Sequence, residues 1–425
     1  MNDTNEILTF LGVPREHVQN ITVSYDNEMM LVFVDLKDDR KKCPYCHDKN
    51  VVIKDYYNVS IKNAVVKNKN MIVKVRIHRY KCKNCGKTFK QNYDFYGSHC
   101  SISNETKYQI VQELKTAKNF LEIAREFNVS SMSVIRILDE AVKYQKRNKL
   151  PTVLCIDEFC FKHGSVHGKY PSVISDGLSG DIIDIIRSRR IAYLRNYFNN
   201  ITFGERHSVK YFVSDMNETY RNIHNEFFYD SLHLIDMFHV ANLFNTCVRD
   251  IRTRIMEEQR DENSLEYRFL KKNWKIFQMH RDKLKTLRKT TYKNGYVMDM
   301  EIELAFCLKK YNDLNKAYYL KEEFYFKTRK LLRYKEATDL INFIITNCDA
   351  SLVPEMNKLG KTIQNWKYSI INSLAINEFK RRLSNGIAEA NNNVIETLID
   401  SSYGLVNFDR MRKRVLYIAS SKKTH

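Results

Sequence analysis

The chain has 425 residues, 43% of them hydrophobic, and 70 Lys and Arg against 50 Asp and Glu, for a formal net charge of +20. That length holds several domains with a real core, and a basic excess of this size points to an anionic partner, nucleic acid first. No apolar run is long enough to span a bilayer, "MNDTNEILTFLG" lacks the basic-then-apolar pattern of a signal peptide, and ten cysteines that include two C-x-x-C pairs read as a reduced, cytoplasmic chain with a metal site, not a disulfide framework.

Residues 1–100 read as a β-rich domain. "ITVSYDNEMMLVFVDL" and "MIVKVRIHRYKC" alternate at period two, which predicts strands. "CPYCHDKN" and "YKCKNCGKTF" supply Cys43, Cys46, Cys82 and Cys85. Each C-x-x-C presents two thiolates to one ion, and two such knuckles complete a tetrahedral Zn2+ site with no open position, hence a structural one. Gly86 suits the tight turn after Cys85; His47, His78 and His99 are possible substitute ligands.

Residues 101–149 predict a helix-turn-helix. Ile110, Val111 and Leu114, then Leu121, Ile123, Ala124 and Phe127, recur at helical spacing. "NVSS" interrupts the pattern, and Ser130 is placed to cap a third helix with Val134, Ile135 and Leu138 inward. Ser131, Ser133 and Arg136 then face outward near its N-terminus, where a recognition helix meets DNA.

Residues 150–245 predict strands at 152–158, 170–175, 181–187, 209–214 and 232–236, with a hairpin turn at "SDGLSGD" and helices at 190–199 and 217–228. Three hairpin-connected strands followed by alternating helix and strand is the order of a ribonuclease-H-like core. Asp157 ends the first strand, Asp215 follows the fourth and Asp236 ends the fifth. With the first and fourth strands adjacent, Asp157 and Asp215 meet at one rim, and two carboxylates there call for hard cations such as Mg2+ or Mn2+. Asp157 and Glu158 are consecutive and point to opposite faces, so they do not serve equally.

Residues 246–380 are breaker-poor: between Pro171 and Pro354 there is no proline, and between Gly204 and Gly360 the one glycine is Gly295. That favours helices. A helix at 384–400 brings Glu389, Asn393, Glu396 and Asp400 onto one face and Ile387, Val394 and Leu398 onto another.

Together "CPYC…KCKNCGKTF", "CIDEFCFKHG…YPSVISD", "VSDM…Y", "IDMFHVANL" and "SNGIAEANNNVIE…YGLVNFDRMRKR" resemble the DDE transposases of bacterial insertion sequences, specifically the ISL-three family. The resemblance covers essentially the whole chain. It implies a metal-binding triad of Asp157, Asp215 and Glu389, a ribonuclease-H-like catalytic core (150–245 and 381–425) interrupted by an all-α insertion (246–380), and a multidomain α/β fold. It implies binding of double-stranded DNA, both element terminal inverted repeats and target, by a homo-oligomer in the bacterial cytoplasm at the nucleoid. "DMFH" resembles a (C/D)-x-x-H signature of related insertion-bearing transposases, with His239 either contacting the scissile phosphate or orienting Asp236. Lys271, Lys272 and Lys275 in the insertion, and Arg412 and Arg414 in "RMRKR", are expected to contact DNA phosphates. After the asparagine run relatives often turn basic, whereas this chain has the acidic "IETLID". That keeps a second reading open, a DNA-binding regulator with an inactive core.

Overall fold

A computed structural model of the protein describes residues 8, 13–25, 29–39, 42–66, 69–90, 101–116, 118–142, 149–162, 168–259, 264–284, 290–291, 297–401 and 407–421. The chain divides into two compact units, Met1–Arg147 with Asn393–His425, and Asn148–Asn392.

The first unit opens with strands β1 (Val18–Tyr25), β2 (Met29–Leu36), β3 (Val51–Val66), β4 (Lys69–Cys82) and β5 (Thr88–Lys90). They form one sheet in the order β1-β2-β4-β3, with β5 on β4. The predicted alternation is real: Val32, Val34 and Leu36 pack with Met71, Val73, Val75 and Ile77 on the buried face, while Phe33 and Arg76 face outward. Three short helices follow, α1 (Asn104–Glu113), α2 (Phe120–Glu126) and α3 (Ser131–Ala141). Each start is fixed by a side-chain cap: Ser103 accepts from Thr106 N, Asn119 and Glu122 form a reciprocal capping box, and Ser130 accepts from Ser133 N. The capping box sets the phase of α2, so Phe120 is buried and Leu121 is exposed, against the sequence expectation. On α3 the buried residues are Val134, Ile137 and Leu138, and Ile135 is half-buried.

The C-terminal helix α4 (Phe408–Ser421 in sequence, the last of the chain) belongs to this unit. Lys413 Nζ pairs with Asp139 Oδ1 at 3.0 Å. Arg414, expected at a DNA phosphate, is fully buried. Its guanidinium lies over the Phe120 ring, 4.9 Å from the centroid, and donates to the carbonyls of Thr116 and Lys118. Burial lowers its pKa to about 10. The DNA-contact assignment of Arg414 is therefore corrected: it ties the last helix to the loop before α2. Arg414→Met, which keeps most of the volume but loses the charge-assisted hydrogen bonds, is expected to cost about 2 kcal/mol. Urea unfolding of the full chain measures this, and an unchanged midpoint would argue against the role.

The second unit carries β6 (Val153–Glu158), β7 (Ser172–Asp176), β8 (Ile182–Ile186), β9 (Tyr211–Ser214) and β10 (Leu232–Ile235), in the order β10-β9-β6-β7-β8. β6, β7 and β8 are antiparallel, and β6, β9 and β10 are parallel. Helices α5 (Ile191–Asn199) and α6 (Glu218–Phe227) cover one face, where Leu154, Ile156, Leu194, Phe198, Phe212 and Ile223 form a core. Val153, Cys155, Val213, Leu234 and Leu383 fill the other. Burial on both faces explains why β6 reads as an unbroken apolar run. In the β7–β8 turn, a Cβ on Gly177 would come within 2.5 Å of Val153 Cγ1, so only glycine fits beside β6.

After β10, helix α7 (Met237–Glu258) starts on an Asp236 cap. The boundary expected at residue 245 thus falls inside a helix. Its buried residues share a core with later helices, α8 (Leu265–Lys272), α9 (Asn312–Lys327), α10 (Tyr334–Asp349), α11 (Pro354–Asn365) and α12 (Lys367–Leu374) among them. The segment is not purely helical: Thr290–Thr291 pairs with Val297–Met298 as a two-residue ladder. Helix α13 (Gly386–Ser401) follows. Its buried residues include Ile395 and Leu398, while Val394, expected inward, is 48% exposed.

Candidate functional site

Two constellations carry chemistry, one in each unit. In the first, the antiparallel register pairs Val51 with Cys82, which brings the knuckle before β3 beside the knuckle after β4. The two knuckles repeat the same backbone. His47 N donates to Cys43 O at 2.9 Å and Gly86 N to Cys82 O at 3.0 Å, and both turn residues have positive φ, 61° at His47 and 74° at Gly86. His47 is thus a turn residue held by its backbone, and His78 is buried between Tyr56 and Tyr80. His99 lies outside the described residues. The four cysteine Sγ atoms all lie within 4.8 Å of one another, with Cys43 to Cys85 and Cys46 to Cys82 both at 3.6 Å. A tetrahedron of Zn–S bonds of about 2.3 Å has edges of roughly 3.8 Å, so the cluster fits Zn2+. Burial raises the Cys43 thiol, but the N–H groups of Tyr45 and Cys46 and the neighbouring thiols together bring it down to about 7, while at Cys46 the Asp48 N–H is outweighed by burial and the other three thiols, which push it up to about 12. Among the described residues, this is the one group of three or more His, Cys, Asp or Glu ligands.

In the second unit the parallel pairing of β6, β9 and β10 puts their C-terminal ends at one rim. Asp157 is the penultimate residue of β6, Asp215 follows β9 and Asp236 follows β10. Asp157 accepts from Glu158 N at 2.9 Å and from Asn392 Nδ2 at 3.0 Å. Asp215 Oδ1 is buried with no hydrogen-bond partner. Burial first, with the charge of Glu158 added and that of His239 opposing, raises the carboxyls of Asp157 and Asp215 to about 6 each. Asp236 adds to the rise at Asp157, and Asp157 to that at Asp215. Asp157, Asp215, Asp236 and His239 therefore share one electrostatic neighbourhood. Half-buried acids crowded by neighbouring negative charge, one with a buried unpartnered oxygen, suit a hard divalent cation. Asp236 also accepts from Phe238 N at 3.2 Å, so it caps α7 and positions His239 one turn on.

Glu158 is engaged by partners of its own, although its charge still reaches Asp157 and Asp215. It pairs with Arg189 and accepts from Tyr220 OH at 2.7 Å, so it has a basic partner. Glu158→Gln keeps the Tyr220 partner and is expected to reduce stability by about 1–2 kcal/mol. Thermal melting measures this, and a loss beyond 4 kcal/mol would mean that the Arg189 pair is a core strut.

Glu389 lies on α13, and its side chain lies outside the described residues. The helix is laced to the β6 rim by asparagines that the sequence reading did not single out. Asn385 Nδ2 donates to Ile156 O at 3.0 Å, Asn391 Nδ2 to Gly180 O at 2.8 Å, and Asn392 Nδ2 to Asp157 and to Glu158 O. The "NNN" run was the one visible signal of Asn391 and Asn392; Asn385 stands apart from it.

The expected DNA-contact residues fall as follows. Ser131 and Ser133 are half-buried on the first turn of α3, where the Ser133 hydroxyl is 2.9 Å from that of Ser130, and Arg136 is exposed. Lys271 and Lys272 are exposed at the end of α8, with Lys271 over the Tyr267 ring. Arg412 is half-buried. No helix among the described residues is long and apolar enough to cross a membrane.

Residues 39–85 match a family model described as the zinc-finger of transposase IS204/IS1001/IS1096/IS1165. Residues 154–415 match the ISL3-type DDE model, described as a transposase. No curated protein matches the chain. The second match spans more than half of the 425 residues and the first covers all four clustered cysteines: the chain belongs to the family of ISL3-type DDE transposases.

Proposed function

We propose that the protein binds the terminal inverted repeats of its own insertion sequence and catalyses metal-dependent DNA strand cleavage and strand transfer. The observation that carries the reading is the half-buried acid rim, where the charge of Asp157 bears on Asp215 and Asp215 Oδ1 is buried without a hydrogen-bond donor. Asp157, Asp215 and Glu389 would hold Mg2+ or Mn2+. Such ions, when bound, activate water and neutralise charge on the phosphodiester. Asn392 orients Asp157, and Asp236 fixes the turn that carries His239. In cleavage, water attacks the scissile phosphorus and the element's 3′ oxygen leaves as a hydroxyl; that hydroxyl then attacks a target phosphodiester in line, and the target's own 3′ oxygen leaves as the new ester bond forms. The strand order, with β6 and β9 adjacent, supports a ribonuclease-H-like core.

The end-binding surface is assigned to the zinc ribbon (1–100) and to a helix-turn-helix (101–149) built from α1 to α3, whose capped α3 presents Arg136. Lys271, Lys272 and Arg412 track phosphates. The remaining parts are the core at 150–245 and 381–425 and the helical insertion at 246–380. Two ends must be joined, so the working form is a homo-oligomer, acting at the nucleoid. Incubation with end-containing duplex and Mg2+ tests this: cutting at the element end followed by joining supports it. Binding with no cutting would favour a regulator with an inactive core, and cutting with no joining would favour a nuclease.

A further inference from the structure

Beside the acid rim, within the second unit, lies a cleft of about 540 Å3 whose lining no step above uses. It opens at the first turn of α7, directly after Asp236. Phe238 lines it and is 64% exposed, although it sits in a well-packed helix start. Its ring also contacts the ring of His239, 5.6 Å between centroids, so the cleft adjoins the group that feels both Asp157 and Asp215. Deeper in, Tyr325 stacks on His280, and Phe244 stacks on Phe324 at 4.4 Å. The walls are therefore flat and aromatic.

The charges of the cleft are positive in excess. Lys321 pairs with Glu322 and Arg329 with Asp282. Arg382 also lines the cleft, and among the described residues no carboxylate pairs with it. Its hydrogen bonds go to the carbonyls of Thr328 and Lys330, which orient the guanidinium without neutralising it. A partly buried, unmatched guanidinium is costly unless an anion completes it. Asn245 adds a buried side-chain oxygen with no hydrogen-bond partner, facing the same space. Flat aromatic walls, an unmatched cation and an unused amide are the combination that takes up a base together with its phosphate.

We propose that this cleft receives an unpaired nucleotide of the DNA strand being cut, its base among Phe238 and Tyr325 and its phosphate at Arg382. The inference rests on the strand-cleaving reading and names a subsite for it. Swinging one nucleotide out of the duplex costs a few kcal/mol, and the cleft offsets that cost next to the acids. The consequence is specific: a cleft residue matters when the nucleotide is paired and much less when pairing has already been removed.

The test uses the full chain and end-containing duplexes with the cut position mapped first on wild-type protein. Each nucleotide flanking the cut is then replaced in turn by an abasic site or an unpaired base. Phe238→Ala is expected to slow cleavage of the fully paired duplex about tenfold, the worth of one stacked base, with end binding and melting temperature unchanged. On the duplex unpaired at the one position that enters the cleft, the deficit is expected to shrink to about twofold. Phe238→Trp should retain wild-type rates, and Arg382→Gln should slow cleavage of both duplexes because its phosphate remains. Wild-type rates for Phe238→Ala on paired DNA, or an equal loss on every duplex, would overturn the cleft assignment while leaving strand cleavage standing. A wild-type protein that cuts none of them contradicts the strand-cleaving reading itself, and the cleft assignment falls with it.

Discussion

Asp157→Asn is expected to abolish Mg2+-dependent cleavage, a loss of about a thousandfold or more, while the metal-free protein melts at or above the wild-type temperature. The first half follows from the role assigned to the acid. A lost carboxylate forfeits several kcal/mol of cation binding and transition-state stabilisation, and each 1.36 kcal/mol is about tenfold. The second half follows from burial. Asp157 is pushed from 3.8 to about 6 because its charge is desolvated and faces other acids. A carboxyl raised in the folded state penalises folding once it is ionised. That cost is full above about pH 6 and fades as pH falls through that value towards 4, because the folded state then binds the extra proton. An uncharged amide removes the cost. The variant should gain about 1–3 kcal/mol over metal-free wild type at pH 7 and lose that advantage near pH 4. Paired melting curves across that range check it. Equal stability at both pH values would mean that Asp157 is well solvated and a poor candidate ligand. Asp157→Ala should likewise leave end binding nearly intact.

Cys82→Ser is the second large effect. Cys82 is fully buried at the end of β4 and packs with Cys43, Val51 and Tyr80. A structural four-cysteine site contributes on the order of 10 kcal/mol of metal binding to folding. Serine is a poor ligand for Zn2+ and leaves three thiolates around an incomplete coordination shell. Zinc content should fall from about one per chain towards zero, measured by metal release to a chromogenic chelator. End binding should weaken at least about tenfold as the β3–β4 knuckles come apart. Full zinc retention would contradict the four-cysteine assignment.

These effects differ in how far the sequence announced them. The cysteine knuckles were legible because metal coordination imposes spacing that packing does not. The five strands of the second unit were legible because both sheet faces are buried, leaving apolar runs punctuated by turns such as "SDGLSGD". The helical phase of α2 and α3 was harder. Leu121 and Phe120 are both apolar, and the capping box at Asn119 and Glu122, a local polar device, decides which one is buried. Arg414 was read as a phosphate contact because "RMRKR" is basic. Yet Met411 and Val415 are buried on the same helix, which places position 414 on that inward face. Asn392 gave no warning beyond its neighbours: its amide bridges Asp157 and the Glu158 carbonyl, contacts made by the fold between residues 235 and 234 positions apart.

The most direct test of the account is strand transfer itself. A duplex ending in a pre-cut 3′ hydroxyl, incubated with the full chain, Mg2+ and a target plasmid, should yield end–plasmid joints. The same mixture with Asp157→Asn or without divalent cation should yield none. Joints formed equally well by Asp157→Asn, or their absence with wild-type protein that binds the end and holds Mg2+, would contradict it.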